Sequence, residues 1–169
     1  MPEIQLRHEM GCDEETYWTK CIFDPEYNKR LFLDALQFKN YELVETKDDG
    51  KTLFRKIKID PKVTGLPGPV KKAIGDSFAY VEEGTFDRAT RRYTYRIIPS
   101  AFGEKSKVSG VIHCESLGDK KVARIADMKV EVKILMIGKL VEDVIIRDLK
   151  SSFATAAQFT TEFVREKGY

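Results

Sequence analysis

The C-terminal segment from about Leu135 to Lys167 places the strongest constraint on how this 169-residue chain can fold. It contains no proline and one early glycine, Gly138, and its apolar residues recur at intervals of three and four. That spacing predicts a long amphipathic helix, which needs a second surface to bury its apolar face. The residues of that face are Val141, Ile145, Leu149 or Asp148, Ser152, Ala156, Phe159 and Phe163.

Strands supply the second surface. Residues 4–10 alternate between apolar and polar side chains, which is typical of a half-buried strand. From Tyr41 onward, short polar turns separate six more segments rich in β-branched and aromatic residues. We predict strands over 41–46, 52–59, 77–86, 90–98, 107–115 and 121–134, paired in meander order.

Two short helices are predicted between the first and second strands. Asp13 is a suitable N-cap for a helix over residues 14–23, and Asp24-Pro25 begins a second helix that continues to about Phe38. The first of these helices carries Tyr17, Trp18 and Cys21 on one side. The stretch Gly65-Leu66-Pro67-Gly68-Pro69 lies inside the strand series and is predicted to be a loop.

The order strand, helix, helix, six strands, long helix resembles the START-like or Bet v 1-like (SRPBCC) superfamily over nearly the whole chain. The opening HEMGCDEETYWTKCIFDPEYNKRL is similar to bacterial proteins of the DUF2505 type and, more distantly, to VASt sterol-binding domains. This resemblance implies an α+β helix-grip fold, in which a curved seven-stranded antiparallel sheet grips the long C-terminal helix. It also implies that residues 1–169 form a single ligand-binding domain.

Small side chains occupy the middle of the predicted C-terminal helix, at residues 151–157. Facing a concave sheet, they either allow the helix to approach the sheet closely or leave a cavity, and the sequence does not decide between these. The resemblance favours a cavity for a lipid, a sterol or another apolar ligand. We expect it to be lined by Phe78, Tyr80, Tyr93, Tyr95, Ile97, Ile112, Met128, Val130, Ile145, Leu149, Ser152, Phe153 and Ala156.

Three charged residues share the apolar sides of their strands: Arg55, Glu82 and Arg124. If these sides are buried, the charges must pair or form hydrogen bonds. An acid with one of the arginines would then make a polar handle inside the pocket. Alternatively, the side chains lie near strand ends and extend into solvent.

The entrance to such a pocket is expected where alternate loops of the meander meet. These are the loops at 60–76 and 99–106 and the junction at 135–138, which combine apolar residues with lysines. A rim of this kind can contact anionic lipid headgroups, although its apolar residues can equally pack onto the end of the sheet. The residues predicted at the entrance and membrane contact are Leu66, Val70, Lys71, Lys72, Ile74, Phe102 and Met136.

Several classes of function have no support in the sequence. A net charge of +2 does not indicate a nucleic-acid partner, and no phosphate-binding, dinucleotide-binding or nucleophile-elbow motif is present. His8, His113 and the three cysteines lack metal-ligand spacing. We therefore predict no metal, cofactor or catalytic residue. Because neither a leader nor a membrane-spanning segment is recognisable, we expect a cytoplasmic protein.

The leading hypothesis is a non-enzymatic protein that binds, and possibly transfers, a hydrophobic small molecule or lipid, with transient contact to an anionic membrane surface. Two alternatives stay open. One is an enzyme of the polyketide cyclase or aromatase type, for which Tyr93, Tyr95, Arg55, Glu82 and His8 are the available acid and base groups. The other is a regulatory, partner-binding helix-grip domain with a filled core.

Overall fold

The structure is a computed structural model that describes residues 2–75 and 77–169. Strand β1 (Glu3–Met10) leads into two short helices. Helix α1 begins at Glu14–Thr16 and continues as a π-helix over Tyr17–Ile22, and α2 begins at Pro25–Lys29 and continues likewise over Arg30–Ala35. The later elements are β2 (Asn40–Asp48), β3 (Thr52–Asp60), α3 (Gly68–Ile74), β4 (Tyr80–Asp87), β5 (Arg92–Pro99), β6 (Ser106–Gly118), β7 (Lys121–Val132) and α4 (Gly138–Lys167).

The seven strands form one antiparallel sheet in the order β1-β7-β6-β5-β4-β3-β2. The six strands from β2 to β7 make a meander, and β1 closes the row by pairing with β7. Helix α4 packs against β1 and β7. This arrangement confirms the predicted α+β helix-grip fold, with two short helices after the first strand and a long C-terminal helix.

Strand register places one side of each strand toward the helix. Leu6 pairs with Ala126, Ala126 pairs with Ile112, and Ile112 pairs with Tyr93, so these four side chains form an apolar row across four strands. Because side chains alternate along a strand, each register position two residues away adds another row on the same face. The alternation seen in the sequence therefore produces a continuous apolar face.

Two glycines in the sheet make room for tyrosine rings from β5. The Tyr93 ring lies over Gly84 of β4, and the Tyr95 ring lies over Gly110 of β6. A Cβ atom on Gly110 would lie 2.7 Å from the Tyr95 hydroxyl, and a Cβ on Gly84 would overlap the Tyr93 ring. The missing side chains thus allow both hydroxyl groups to reach across to the neighbouring strand.

Aromatic residues close one end of the space between sheet and helix. Trp18 lies 4.5 Å from Phe86, measured between ring centroids, and its indole N–H donates to the Glu14 carboxylate at 3.1 Å. The Tyr27 and Thr160 hydroxyls share a buried hydrogen bond of 2.6 Å, which ties α2 to α4. The two short helices after β1 therefore help to enclose the space between the sheet and α4.

The structure changes several predicted boundaries. Strand β4 begins at Tyr80 instead of residue 77, and α4 begins at Gly138 instead of Leu135, because Met136 has a positive φ of 70° and forms a turn before the helix. Helix α3 stands within the predicted loop at 60–76, with a proline in its first turn. That loop extends to Asp76, which, like Met1, lies outside the described residues.

Candidate functional site

A cavity of about 480 Å³ lies between the sheet and α4. This volume falls within the range of about 300–1,000 Å³ that is usual for small-molecule sites. Its walls come from α1, α2, α3, the inner face of the sheet and the first half of α4. The regulatory alternative requires a filled core, whereas the structure has a cavity between the sheet and α4.

Small residues of α4 contribute directly to this space. Ser151, Ser152, Thr155 and Ala156 all line the cavity. Two outcomes were open for small side chains at 151–157, and the structure shows the second: a space remains beneath the helix. Close packing of α4 occurs instead against β1 and β7.

Most residues predicted to line the cavity do so, with two corrections. Met128 and Val130 are 2% and 0% exposed but are not among the lining residues. Both lie on β7, against which α4 packs, and Met128 belongs to the core cluster that contains Ala156 and Phe163 of that helix. The predicted residues found in the lining are Phe78, Tyr80, Tyr93, Tyr95, Ile97, Ile112, Ile145, Leu149, Ser152, Phe153 and Ala156.

A wall that the sequence reasoning missed comes from the two short helices. The spacing of apolar residues at intervals of four along α2 was a usable signal, since it marks one helix face. So was the aromatic side of α1. The missed lining residues include Tyr17, Trp18, Tyr27, Leu31, Phe32 and Leu36.

Arg55, Glu82 and Tyr93 form a hydrogen-bonded network in the cavity wall. Arg55 donates from Nη2 to Glu82 Oε1 at 3.2 Å and from Nη1 to the Ile22 carbonyl at 2.7 Å. The Tyr93 hydroxyl donates to the same Glu82 oxygen at 2.6 Å. Arg55 is only 6% exposed, so the alternative in which it extends into solvent is wrong.

The electrostatics of this network keep its phenol protonated. Burial raises the pKa of Tyr93, and the adjacent Glu82 carboxylate raises it further because it disfavours a second negative charge. Burial also raises the pKa of Tyr95, whose hydroxyl has no hydrogen-bond partner among residues 2–75 and 77–169. Both phenols are therefore hydrogen-bond donors and not bases at neutral pH.

Arg124 is the second buried arginine in the cavity wall, at 3% exposure. Its Nη2 donates to the Phe153 carbonyl of α4 at 2.8 Å and lies 3.2 Å from Nδ1 of His8. The guanidinium also lies 4.7 Å from the centre of the Phe153 ring. Burial, and then the charge of Arg124, lower the pKa of His8, so the imidazole stays neutral beside the cation. His8 itself does not line the cavity.

The loops predicted to form the entrance meet in one apolar cluster. Its buried members are Val70, Val132 and Val141, with Leu66 and Phe102 packed against them. Arg147 of α4 donates to the carbonyls of Thr64 and Gly65 at 3.0 and 3.2 Å. These contacts hold the loop before α3 against the C-terminal helix.

The predicted entrance residues take different positions. Leu66, Ile74 and Phe102 line the cavity, and so does Val70, but Val70 is only 2% exposed and is not available for membrane contact in this conformation. Lys71 lines an adjoining pocket of about 450 Å³. Lys72 and Met136 lie outside the lining, and the Met136 side chain is 92% exposed.

Within residues 2–75 and 77–169, no group of three or more His, Cys, Asp or Glu side chains could hold a metal ion. The cysteines are poor nucleophiles, since burial raises the pKa of Cys12 to about 11 and that of Cys114 to about 12. None of the helices in the described part of the chain is long and apolar enough to cross a membrane.

Comparisons with known proteins agree with this architecture. A family model described as "Protein of unknown function (DUF2505)" matches residues 6–164. No curated protein has a matching sequence. The more distant resemblance to VASt domains stays a prediction.

Solved structures share the fold at low sequence identity. A START superfamily protein from Mycobacterium smegmatis is 16% identical, with a TM-score of 0.62 over 96% of this chain and 98% of that one. Norcoclaurine synthase from Thalictrum flavum is 17% identical, with a TM-score of 0.65 over 98% and 87%. The Zhui aromatase/cyclase from Streptomyces sp. R1128 is 11% identical, with a TM-score of 0.57 over 94% and 93%.

Proposed function

The chain belongs to the DUF2505 family and has the START-like helix-grip fold, and from this premise we propose that it binds a hydrophobic small molecule between the sheet and α4. The observation that carries the proposal is the cavity of about 480 Å³ beneath the small residues of α4. A chain that needed this space only for stability would gain by filling it, because an empty apolar cavity is destabilising.

The chemistry of the lining indicates how a ligand would be held. Most lining side chains are aliphatic or aromatic, so burial of apolar ligand surface supplies the binding free energy, at about 25 cal/mol for each Å². The few polar groups, among them Arg55, Glu82 and Arg124, would orient the ligand. A lipid, a sterol-like molecule or another extended apolar compound suits a cavity with a mainly apolar lining and a few polar groups.

Transfer of such a ligand between membranes is a further part of the proposal. Leu135 and Met136 are 90% and 92% exposed and stand immediately before α4, next to the apolar cluster of the entrance. Lys71, Lys72 and Lys105 are exposed on the neighbouring segments. Protruding apolar side chains among lysines suit contact with an anionic lipid surface.

Ligand binding is tested with purified protein. Native mass spectrometry and organic extraction should detect a copurifying apolar molecule, and the neutral fluorophore N-phenyl-1-naphthylamine should bind with increased emission. Displacement of the fluorophore by added lipids would then rank the ligand classes. Absence of both a copurifying molecule and fluorophore binding would exclude the proposal.

An enzyme of the cyclase or aromatase type remains the second candidate, since Glu82, Tyr93 and Tyr95 all line the cavity and the fold is shared with an aromatase/cyclase. If it catalyses such a reaction, Glu82→Gln and Tyr93→Phe should abolish turnover of a cyclisable polyketide while N-phenyl-1-naphthylamine still binds. If the protein only binds ligands, the wild type should show no turnover to lose.

A further inference from the structure

Among the described residues, two buried arginines line the cavity, and a carboxylate pairs with one of them. Arg55 and Arg124 are 6% and 3% exposed, and Glu82 accepts from Arg55. Arg124 has no carboxylate within ion-pairing distance among the residues that the structure describes. The other charged lining residues are Lys62 and Asp148, which contact Gln37 and Arg147 respectively.

The groups around Arg124 are neutral. The Phe153 carbonyl and the His8 imidazole contact Nη2, and the Tyr17 phenol lies nearby. The buried Nε has no hydrogen-bond partner in the part of the chain that the structure describes. Neutral acceptors solvate a guanidinium only in part, so a buried cation in this position gains more from an anion. Lys62 also lacks a carboxylate partner among the described residues, but it is exposed, so Arg124 is the buried positive charge of the cavity that these residues leave uncompensated.

Among the described residues, two other buried polar atoms of the lining also lack a hydrogen-bond partner, Nε of Arg55 and the hydroxyl of Tyr95. The Tyr95 hydroxyl is buried without a hydrogen bond, and its ring reaches across Gly110 on β6, the strand next to β7. Since the phenol stays protonated, it can donate to a guest. A guest that supplies an acceptor oxygen would satisfy a group that the protein itself leaves unsatisfied.

The position of Arg124 in the cavity indicates how a bound ligand would be oriented. Arg124 lies near the start of β7, whereas Val132, at the end of that strand, belongs to the apolar cluster of the entrance. At a rise of about 3.4 Å per residue, the strand path between them is roughly 27 Å. The lining between these points includes Ile112, Leu149 and Ile145.

We infer that the ligand is an amphipathic monocarboxylate, bound with its carboxylate at Arg124 and its apolar tail directed toward the entrance. The inference rests on the proposed function and specifies its ligand class. A monoanion matches the buried, uncompensated charge of Arg124, and a carboxylate oxygen can accept a charge-assisted hydrogen bond from the guanidinium. The tail then occupies the apolar part of the lining.

Displacement of N-phenyl-1-naphthylamine by dodecanoic acid and by its methyl ester, at a pH where the acid is ionised, tests the inference. The wild type should bind the acid about 10- to 100-fold more tightly than the ester, because the ester carbonyl can still accept a hydrogen bond but carries no negative charge to pair with the guanidinium. Arg124→Gln should remove most of this preference, and Arg124→Lys should retain part of it. Arg165→Gln, which removes an exposed charge from the outer side of α4, should keep the wild-type preference.

The outcomes separate the inference from the proposed function. Equal affinity of the wild type for acid and ester, or an unchanged preference in Arg124→Gln, would overturn the inference and leave apolar ligand binding intact. Failure of the wild type to bind the fluorophore, the acid and the ester would overturn both. The comparison of acid with ester in the wild type needs no substitution, so the inference stays testable even if Arg124→Gln does not fold.

Discussion

At the scale of single residues, burial alone does not define the role of a charged side chain in this protein. Arg55 and Arg124 are buried to a similar degree, yet Arg55 shares Glu82 with Tyr93 whereas Arg124 contacts neutral groups. The first arginine thus has a carboxylate partner. The second retains capacity for a ligand, which is the basis for the inferred carboxylate site.

The close approach of Tyr93 to Gly84 gives a prediction at this scale. Gly84→Ala should displace the Tyr93 ring, lengthen its hydrogen bond to Glu82 and lower the free energy of unfolding by about 1–3 kcal/mol, since the added methyl group overpacks the contact. Urea denaturation measures the change. Gly68→Ala is the control, because a Cβ atom there meets nothing within 4 Å. Equal losses in the two variants would contradict this account of Gly84.

His8 gives a second prediction, about pH. Its pKa lies below the usual 6.5 in the folded protein, mainly through burial and then through the charge of Arg124. As the pH falls through 6.5, the unfolded chain therefore takes up a proton before the folded one does, and the free energy of unfolding decreases. His8→Gln should lose less stability than the wild type on acidification from about pH 7.5 to about pH 5.5. An identical loss in both proteins, measured by urea denaturation, would show that His8 does not contribute.

At the scale of secondary-structure elements, α4 has two different relationships with the sheet. It packs directly on β1 and β7, and its small residues around Ala156 leave the cavity open over the rest of the inner face. The short helices α1 and α2 complete the wall with aromatic and aliphatic side chains. Differences in side-chain size along α4 thus distinguish the part of the helix that packs on the sheet from the part that borders the cavity.

This division predicts the effect of a larger side chain in α4. Ala156→Phe projects a ring into the cavity and should weaken binding of N-phenyl-1-naphthylamine by about tenfold or more, equivalent to at least about 1.4 kcal/mol. Ala154→Phe is the matched control, because Ala154 lies on the exposed side of the same helix. Fluorescence titration of both variants gives the comparison. Loss of binding in Ala154→Phe alone would contradict a site beneath α4.

At the scale of the whole molecule, the meander topology brings the polar hairpin tips to one end and the apolar cluster of the entrance to the other. The tips at Asp48 and Arg88 are held by a pair of hydrogen bonds of 2.7 Å. The opposite end presents Leu135 and Met136 to solvent. The two ends of the molecule therefore differ in polarity.

This polarity predicts where membranes bind. Replacing Leu135 and Met136 together by Ser should reduce sedimentation with phosphatidylglycerol-containing vesicles by at least about tenfold, since burial of one such side chain contributes about 1.5–3 kcal/mol. The control replaces Val44 and Leu117, which are 47% and 41% exposed, by Ser. Equal vesicle binding by both double variants, or none by the wild type, would remove membrane contact from the proposed function.

The type and order of the main elements could be predicted from local sequence patterns. Alternation along each strand and three- to four-residue spacing along α4 are local patterns, so they defined the inner faces on which Tyr93, Ile112 and Ala156 lie. For the same reason most of the lining could be predicted. Helix α3 escaped prediction because its Gly and Pro residues indicate a loop and a helix start equally well.

Which of these residues border the cavity, and which charged side chains pair, depends on packing between elements that are distant in sequence. Met128 shares its face with lining residues, but it belongs to the core cluster that contains Ala156 and Phe163 of α4, and no local pattern records where a distant helix rests. Likewise, the sequence placed Arg55, Glu82 and Arg124 on inner faces. Strand register and packing then brought the Glu82 carboxylate into contact with Arg55. The sheet face on which a residue lies depends on its neighbours in the chain, whereas its contact partners belong to elements far away in sequence. For this reason only the folded structure reveals that, among the described residues, Arg124 has no carboxylate partner.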